Sequence, residues 1–323
     1  MNPPKVLVTR RWPEPCEARL RELFDVTFNT DNQPLTQAEL RDALHDHDAV
    51  LPTVSDKLPA EVFGNEPLRC RILGNFGVGF NHIDLEAARQ RGIVVTITPG
   101  VLTESTADIA MMLMLMAARR ASEGERLLRT GQWTGWHPTQ FLGTQVTGKT
   151  LGLIGFGRIA QAMATKAHFG FGMPIVFYTP RPAAPELLTH FQARQLDSIE
   201  AVMRESDFVA LHCPGSAANY HLITAEHLAQ LKPSGILINT ARGDVIDNQA
   251  LIAALRERRI AAAGLDVYEG EPNLDPGFLE LDNAVLLPHL GSATTETRVA
   301  MGMMAIDNVE AFFRGETPPN RVV

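Results

Sequence analysis

Short β-branched and apolar runs alternate with helix-spaced apolar positions from one end of the 323-residue chain to the other. The runs Val6–Thr9, Ala49–Pro52, Ile72–Asn75, Val94–Ile97, Leu151–Ile154, Ile175–Tyr178, Phe208–Leu211, Ile236–Asn239, Ala263–Asp266 and Val285–Leu287 predict strands. Between them, segments such as Cys16–Leu23, Thr36–Leu44, Leu85–Gln90, Ile159–His168, Ser198–Glu205, Ala225–Leu231 and Gln249–Glu257 predict helices, and a last helix is expected over Thr295–Phe313. Strands separated by helices form βαβ units, whose parallel sheets are covered on both faces. An eightfold barrel alternates in the same way. Against it, the series restarts at Leu151 with a glycine-rich turn of its own, which points to two α/β domains.

The most apolar stretch, Ile109–Ala118, is closed by Arg119-Arg120. As a helix it spans about 15 Å, half of a bilayer core, so it predicts a buried helix and no membrane segment. Its methionines suit irregular packing between domains or subunits. Between the two series a long helix is expected to run on to Gly131-Gln132-Trp133-Thr134-Gly135-Trp136-His137-Pro138, which itself reads as neither strand nor helix. Two tryptophans in such an arm predict an oligomer contact.

Composition narrows the function classes. The chain is 45% hydrophobic and 20% charged, which excludes a disordered or fibrous protein. A net charge of −8 offers no basic footprint for nucleic acid. The three scattered cysteines form neither a disulfide framework nor a metal clip, and no cluster has metal-ligand spacing. With no targeting signal at the start, the expected setting is cytoplasmic.

The sharpest local motif is Leu151-Gly152-Leu153-Ile154-Gly155-Phe156-Gly157-Arg158-Ile159-Ala160, a strand running into Gly-x-Gly-x-x-Ala with a helix opening behind it. Gly155 permits the tight turn, Gly157 lets the backbone approach a pyrophosphate, and Ala160 keeps helix close to strand. The free N–H groups and dipole of the helix then face the phosphates. A plain glycine turn serving packing is the other reading. The next strand ends Phe177-Tyr178-Thr179-Pro180-Arg181. An NAD site places Asp or Glu there for the ribose 2′-hydroxyl, whereas an NADP site replaces it and sets an arginine nearby. Thr179 with Arg181, and Arg158 at the helix start, therefore favours NADP(H), with NAD(H) as the other possibility. Otherwise Arg181 is a solvated surface residue.

Three polar residues follow strands of the second series: Arg242 after Ile236–Ala241, Glu271 after Gly264–Gly270, and His289 after Val285–Pro288. In an open α/β sheet ligands bind beyond the carboxyl ends of the strands, so these residues should converge. Reduction of a 2-oxo acid needs hydride at the carbonyl carbon and a proton at its oxygen. His289 can give that proton, since imidazole titrates near neutral pH. Glu271 would orient the ring, and Arg242 would hold the carboxylate and polarise the carbonyl. Asp266 is placed to accept from a cofactor carboxamide. Taken singly, each has a plain alternative: a capped loop histidine, or a surface turn at Arg242-Gly243-Asp244.

The chain resembles the D-isomer-specific 2-hydroxyacid dehydrogenases, and within them the glyoxylate/hydroxypyruvate reductase branch. The resemblance rests on Asn75–Asp84, Thr98–Glu104, Gly155–Ala160, Asn239–Asp244, Gly264–Pro272 and Pro288–Thr294, in the family's order, and covers the chain from about residue 45 onward. It implies Arg242, Glu271 and His289 as the catalytic set and the Val78 and Gly79 amides as binders of the substrate carboxylate. Gly77-Val78-Gly79, a glycine-flanked turn after a strand, agrees with an anion nest. The resemblance further implies cofactor contacts at Phe156, Ile159, Cys213-Pro214, Thr240-Ala241 and Thr103. It implies that Trp136 reaches across a homodimer into the neighbour's site; Trp136 as dimer packing only is the alternative. The stretch Phe169–Met173 is about one residue longer than usual for the family, so the ribose position could be off by one; its neighbours Tyr178 and Pro180 are not acidic either.

The expectation is thus an α/β protein of two doubly wound, Rossmann-like parallel-sheet domains with the active site in the cleft between them. Residues 1–100 with 294–323 would form a flavodoxin-like substrate domain. Residues 101–293 would form the dinucleotide domain, with a dimerisation arm at about 119–148. Three other readings stay open. One is a related dehydrogenase acting on phosphoglycerate, lactate or another 2-oxo acid. The second is a dinucleotide-sensing module of the corepressor type, which turnover of 2-oxo acids would exclude. The third is a sulfur- or phosphite-type oxidation on the same scaffold, since fold does not fix chemistry.

Overall fold

The computed structural model describes residues 2–323; Met1, where the expected first domain begins, lies outside the described residues. The chain divides into two compact units, residues 2–102 with Ala293–Val323, and Thr103–Ser292.

In the first unit, β1 (Lys5–Val8), β2 (Asp25–Phe28), β3 (Ala49–Leu51), β4 (Ile72–Gly74) and β5 (Val94–Thr96) form a parallel sheet of order β2-β1-β3-β4-β5. This is the flavodoxin-like order. The interior strands β3 and β4 are buried throughout, as continuous apolar runs between two helical layers must be. The C-terminal helix Thr295–Phe313 lies against this sheet, so close that a Cβ on Gly74 would stand 2.8 Å from Val309 Cγ2. Asn308, fully buried on that helix, donates to the Ile97 carbonyl and accepts from the Asn320 N–H, tying the chain end to the unit.

The second unit carries β6 (Leu151–Ile154), β7 (Ile175–Tyr178), β8 (Arg194–Gln195), β9 (Phe208–Leu211), β10 (Ile236–Asn239), β11 (Ala262–Leu265) and β12 (Ala284–Leu286). Their order is β12-β11-β10-β9-β6-β7-β8, all parallel, and β6 is the strand from which the order runs both ways. Such a switch point opens a crevice at the strand ends. The methionine-rich helix Thr103–Ala118 buries Met111, Leu113 and Met114 in the core, while Met112 remains 37% exposed. Gly264 is needed beneath it, since a Cβ there would stand 2.8 Å from Leu113 Cβ.

Four details differ from the expected elements. β2 and β8 were not predicted; β2 alternates half-exposed positions and β8 has only two residues, so neither carries an apolar run. The long helix expected before Gly131 breaks at Arg120, which adopts φ +53, and resumes as Ala121–Arg129. The helix behind the glycine turn runs Arg158–Thr165 and passes into a π-helical turn, Lys166–Gly170. A π-turn accommodates one extra residue within a helix, which is where the sequence is long.

Candidate active site

The first turn of the second unit is built around Gly155. It has φ +88, and a Cβ there would lie 2.9 Å from the His212 carbonyl, so only glycine fits. Phe156 turns its ring inward, stacked on Phe177 at 3.9 Å and 11°, which leaves only its main chain to the turn. Gly157 differs: a Cβ there would meet nothing within 4 Å, so the space left open serves something other than the protein's own packing. The amides of Gly157, Arg158 and Ile159 donate to no main-chain carbonyl outside the helix among the described residues. This turn fits a pyrophosphate.

At the end of β7, Gln195 Nε2 donates to the carbonyls of both Thr179 and Arg181 and fixes the loop. The Arg181 and Arg158 side chains are exposed, and among the described residues neither forms an ion pair. Beyond β9, Cys213 is held as a thiol, its pKa pushed up to about 11 by burial. Thr240, 7% exposed after β10, has a buried hydroxyl with no hydrogen-bond partner among the described residues. A buried hydroxyl left without a partner can take one from a bound polar group. Thr103 opens the helix Thr103–Ala118.

Arg242 sits in the turn after β10. Asn239, 1% exposed, grips that turn from both ends: its Oδ1 accepts from the Ala241 N–H at 3.0 Å and its Nδ2 donates to the Arg242 carbonyl at 2.8 Å. The Arg242 stem lies on Gly215, where a Cβ would stand 2.7 Å from Arg242 Cγ. Burial pulls the guanidinium below its usual value, opposed by Glu271 and Asp244.

His289 Nδ1 lies 2.8 Å from Glu271 Oε2, and because a carboxylate has no hydrogen to give, the ring nitrogen donates. The Tyr268 N–H holds the other Glu271 oxygen at 2.8 Å. Burial pushes the Glu271 carboxyl up, but His289, the Tyr268 amide and the charge on Arg242 outweigh it and hold it below the usual range. Each of the two side chains is about a third exposed, at 31% and 30%. His289 has φ +55, a left-handed conformation rare for a residue with a Cβ. Asp266 sustains it. The Asp266 carbonyl accepts from the His289 N–H, while Oδ1 and Oδ2 accept from the Leu290 and Gly291 N–H groups at 2.6 and 2.8 Å. Burial pushes the Asp266 carboxyl up against the pull of those amides and of His289.

The second unit therefore brings Arg242, Glu271, His289 and Asp266 together. Sequence reasoning missed Asn239, Gly215, Gly243 and Tyr268, which hold them; an Asn closing an apolar strand before Arg-Gly was the available signal. A Cβ on Gly243 would overlap the main chain of Tyr268 and Glu269, so the Arg242 and Glu271 loops touch backbone to backbone. The Val78–Gly79 turn belongs to the first unit. There Asn75, fully buried, donates to the carbonyls of Gly77 and Gly79, while the Val78 and Gly79 amides donate to nothing among the described residues. Trp136 is 80% exposed, in a stretch without helix or strand. Among the described residues no group of three or more His, Cys, Asp or Glu could hold a metal, and no helix is long and apolar enough to cross a membrane.

The family model for the D-isomer specific 2-hydroxyacid dehydrogenase NAD-binding domain matches residues 111–291. A glyoxylate reductase of Thermococcus litoralis is 44% identical over 99% of this chain and 96% of its own. A glycerate dehydrogenase of Hyphomicrobium methylovorum is 39% identical over 98% of each chain. Among solved structures, an NADPH-dependent glyoxylate/hydroxypyruvate reductase of Sinorhizobium meliloti, in complex with NADP and malonate, superposes with a TM-score of 0.88 at 33% identity, covering 100% of this chain and 97% of that one.

Proposed function

Because the chain belongs to the D-isomer specific 2-hydroxyacid dehydrogenases, a family of NAD(P)-dependent oxidoreductases, we propose that it reduces glyoxylate and hydroxypyruvate with NADPH. The observation that carries this reading is the Glu271–His289 pair. The bound dinucleotide supplies hydride for the substrate carbonyl carbon. With Nδ1–H committed to Glu271, His289 has Nε2 left to give a proton to the carbonyl oxygen. Glu271 keeps the ring oriented. Arg242, desolvated and rigidly seated, holds the carboxylate and polarises the carbonyl. The free Val78 and Gly79 amides form an anion nest, and the substrate carboxylate is the anion we assign to it. Asp266 keeps a lone pair on each oxygen for the cofactor carboxamide.

The cofactor cradle comprises the Gly155–Ile159 turn, Cys213-Pro214, Thr240-Ala241 and Thr103. Preference for NADPH rests on Thr179, where an acidic residue would repel the 2′-phosphate, and on Arg181 and Arg158, whose unpaired guanidinium groups suit it. The relatives' names favour glyoxylate and hydroxypyruvate. Trp136 is assigned to the neighbour's site of a homodimer, where it would narrow the pocket to small acids; light scattering giving a monomer would remove that assignment.

Initial rates of NADPH and NADH oxidation, with glyoxylate and then hydroxypyruvate, test the reading. Turnover faster with NADPH is expected. Turnover preferring NADH would discard the 2′-phosphate argument, and no turnover despite dinucleotide binding would discard the substrate.

A further inference from the structure

The second unit holds another histidine–carboxylate pair, outside the groups assigned to substrate. His221 Nε2 lies 3.0 Å from Glu269 Oε2, and Tyr220 Oη donates to Glu269 Oε1 at 3.0 Å. The Tyr220 ring stacks on the His221 imidazole, with centroids 4.0 Å apart and planes at 14°. His221 adopts φ +48, a conformation that needs support from its surroundings. Its side chain and that of Glu269 are 31% and 33% exposed.

The main chain shows what these groups join. The His221 N–H donates to the Asp244 carbonyl at 2.8 Å and the Ile223 N–H to the Val245 carbonyl at 2.9 Å, so this segment lies along the turn that starts at Arg242. On that turn, Gly243 meets the main chain of Tyr268 and Glu269. Glu269 stands two residues before Glu271. Upstream, Asn219 Nδ2 donates to the Pro214 carbonyl at 2.8 Å, and Gly215 seats the Arg242 stem. One carboxylate, Glu269, therefore fastens the loop after β9 to the loops that carry Arg242 and Glu271.

We propose that Glu269 and His221, completed by Tyr220, form a positioning clasp that keeps Arg242 and Glu271 at a fixed spacing. Neither residue is a catalytic group; each acts through the loops it joins. Reacting groups on irregular loops depend on such supports, because small displacements cost large factors in rate. The clasp rests on the reading of Arg242 and Glu271 given above.

The test uses the full chain as Glu269→Ala, His221→Ala, the double variant and Glu269→Gln. It measures steady-state kinetics with glyoxylate, dinucleotide Kd, and amide hydrogen exchange. Each alanine variant should lose roughly five- to tenfold in kcat/KM, with dinucleotide Kd within about twofold, and the double variant should be no worse than the worse single. Exchange should quicken in 242–247 and 268–271 but not in 151–160. Glu269→Gln keeps both contacts, its Oε1 accepting from His221 Nε2 and its Nε2 donating to the Tyr220 hydroxyl oxygen, and should recover to within about threefold of wild type. Single variants with unchanged kinetics and exchange would overturn the clasp. So would a matching loss of dinucleotide affinity, or a Glu269→Gln as impaired as the alanine. If the wild-type chain turned over no 2-oxo acid, the functional reading would fall, and the exchange data would still decide the clasp.

Discussion

Replacing Gly243 by alanine puts a methyl group where the Arg242 and Glu271 loops meet. A Cβ there overlaps the carbonyl carbon of Tyr268 and the nitrogen of Glu269. Both are main-chain atoms, so no side chain can swing aside. Carbon atoms in ordinary contact stand about 3.5–4 Å apart, so the two loops must separate by at least about 1 Å. Arg242 is adjacent to the methyl, and the Tyr268 N–H that holds Glu271 belongs to the displaced segment. Misplacement of about 1 Å at a reacting centre costs on the order of 100-fold in rate, and overpacking costs about 1–3 kcal/mol of stability. Gly243→Ala should therefore lose about 100-fold in kcat/KM with glyoxylate and much less in dinucleotide affinity, since Thr240-Ala241 shares the displaced turn but the turn at Gly155–Ile159 lies on β6 rather than β10. Steady-state rates, fluorescence titration with NADPH and a thermal melt separate these effects. A folded variant whose kcat/KM stays within about threefold of wild type would refute the idea that this backbone contact sets the spacing.

Two further outcomes follow from the same geometry. Burial alone lowers the His212 pKa from 6.5 to about 4. Its neutral form thus contributes stability that is present above pH 6.5 and lost as pH falls toward 4. The loss is about 2 kcal/mol between pH 7 and 5, and denaturant titrations of His212→Gln should show a flatter pH dependence; equal slopes would contradict this. Thr179→Asp with Arg181→Ala should shift the ratio of kcat/KM for NADPH over NADH by at least about tenfold toward NADH, the scale of one charge-assisted hydrogen bond; an unchanged ratio would show that neither residue meets the 2′-phosphate.

The interior strands were legible because a strand between two helical layers must be apolar along its length, as at β6, β9 and β10, buried at every residue. Edge strands carry no such signature. β8 consists of Arg194 and Gln195 and pairs with one strand, β7. The break at Arg120 was also hidden. It depends on Arg120 donating to Glu123 and lying over the Phe141 ring, 5.0 Å from its centroid, a contact across a loop. At the candidate site, Arg242, Glu271 and His289 stood out as polar residues after strands. Their supports did not. Asn239 resembles the end of an apolar run, and Gly215 and Gly243 are constrained only by main chain distant in sequence. Asp266 was expected at the cofactor, yet its double grip on the Leu290 and Gly291 amides required three-dimensional structure to see.

In the function proposed above, His289, held by Glu271, serves the chemical step rather than cofactor binding. The most direct test of that role compares kcat for glyoxylate with NADPH Kd in wild type and His289→Ala. In the variant kcat should fall by about 100- to 10,000-fold, the usual worth of a positioned acid, while Kd changes by less than about threefold. Turnover within about tenfold of wild type, or a Kd that collapses along with kcat, would contradict it.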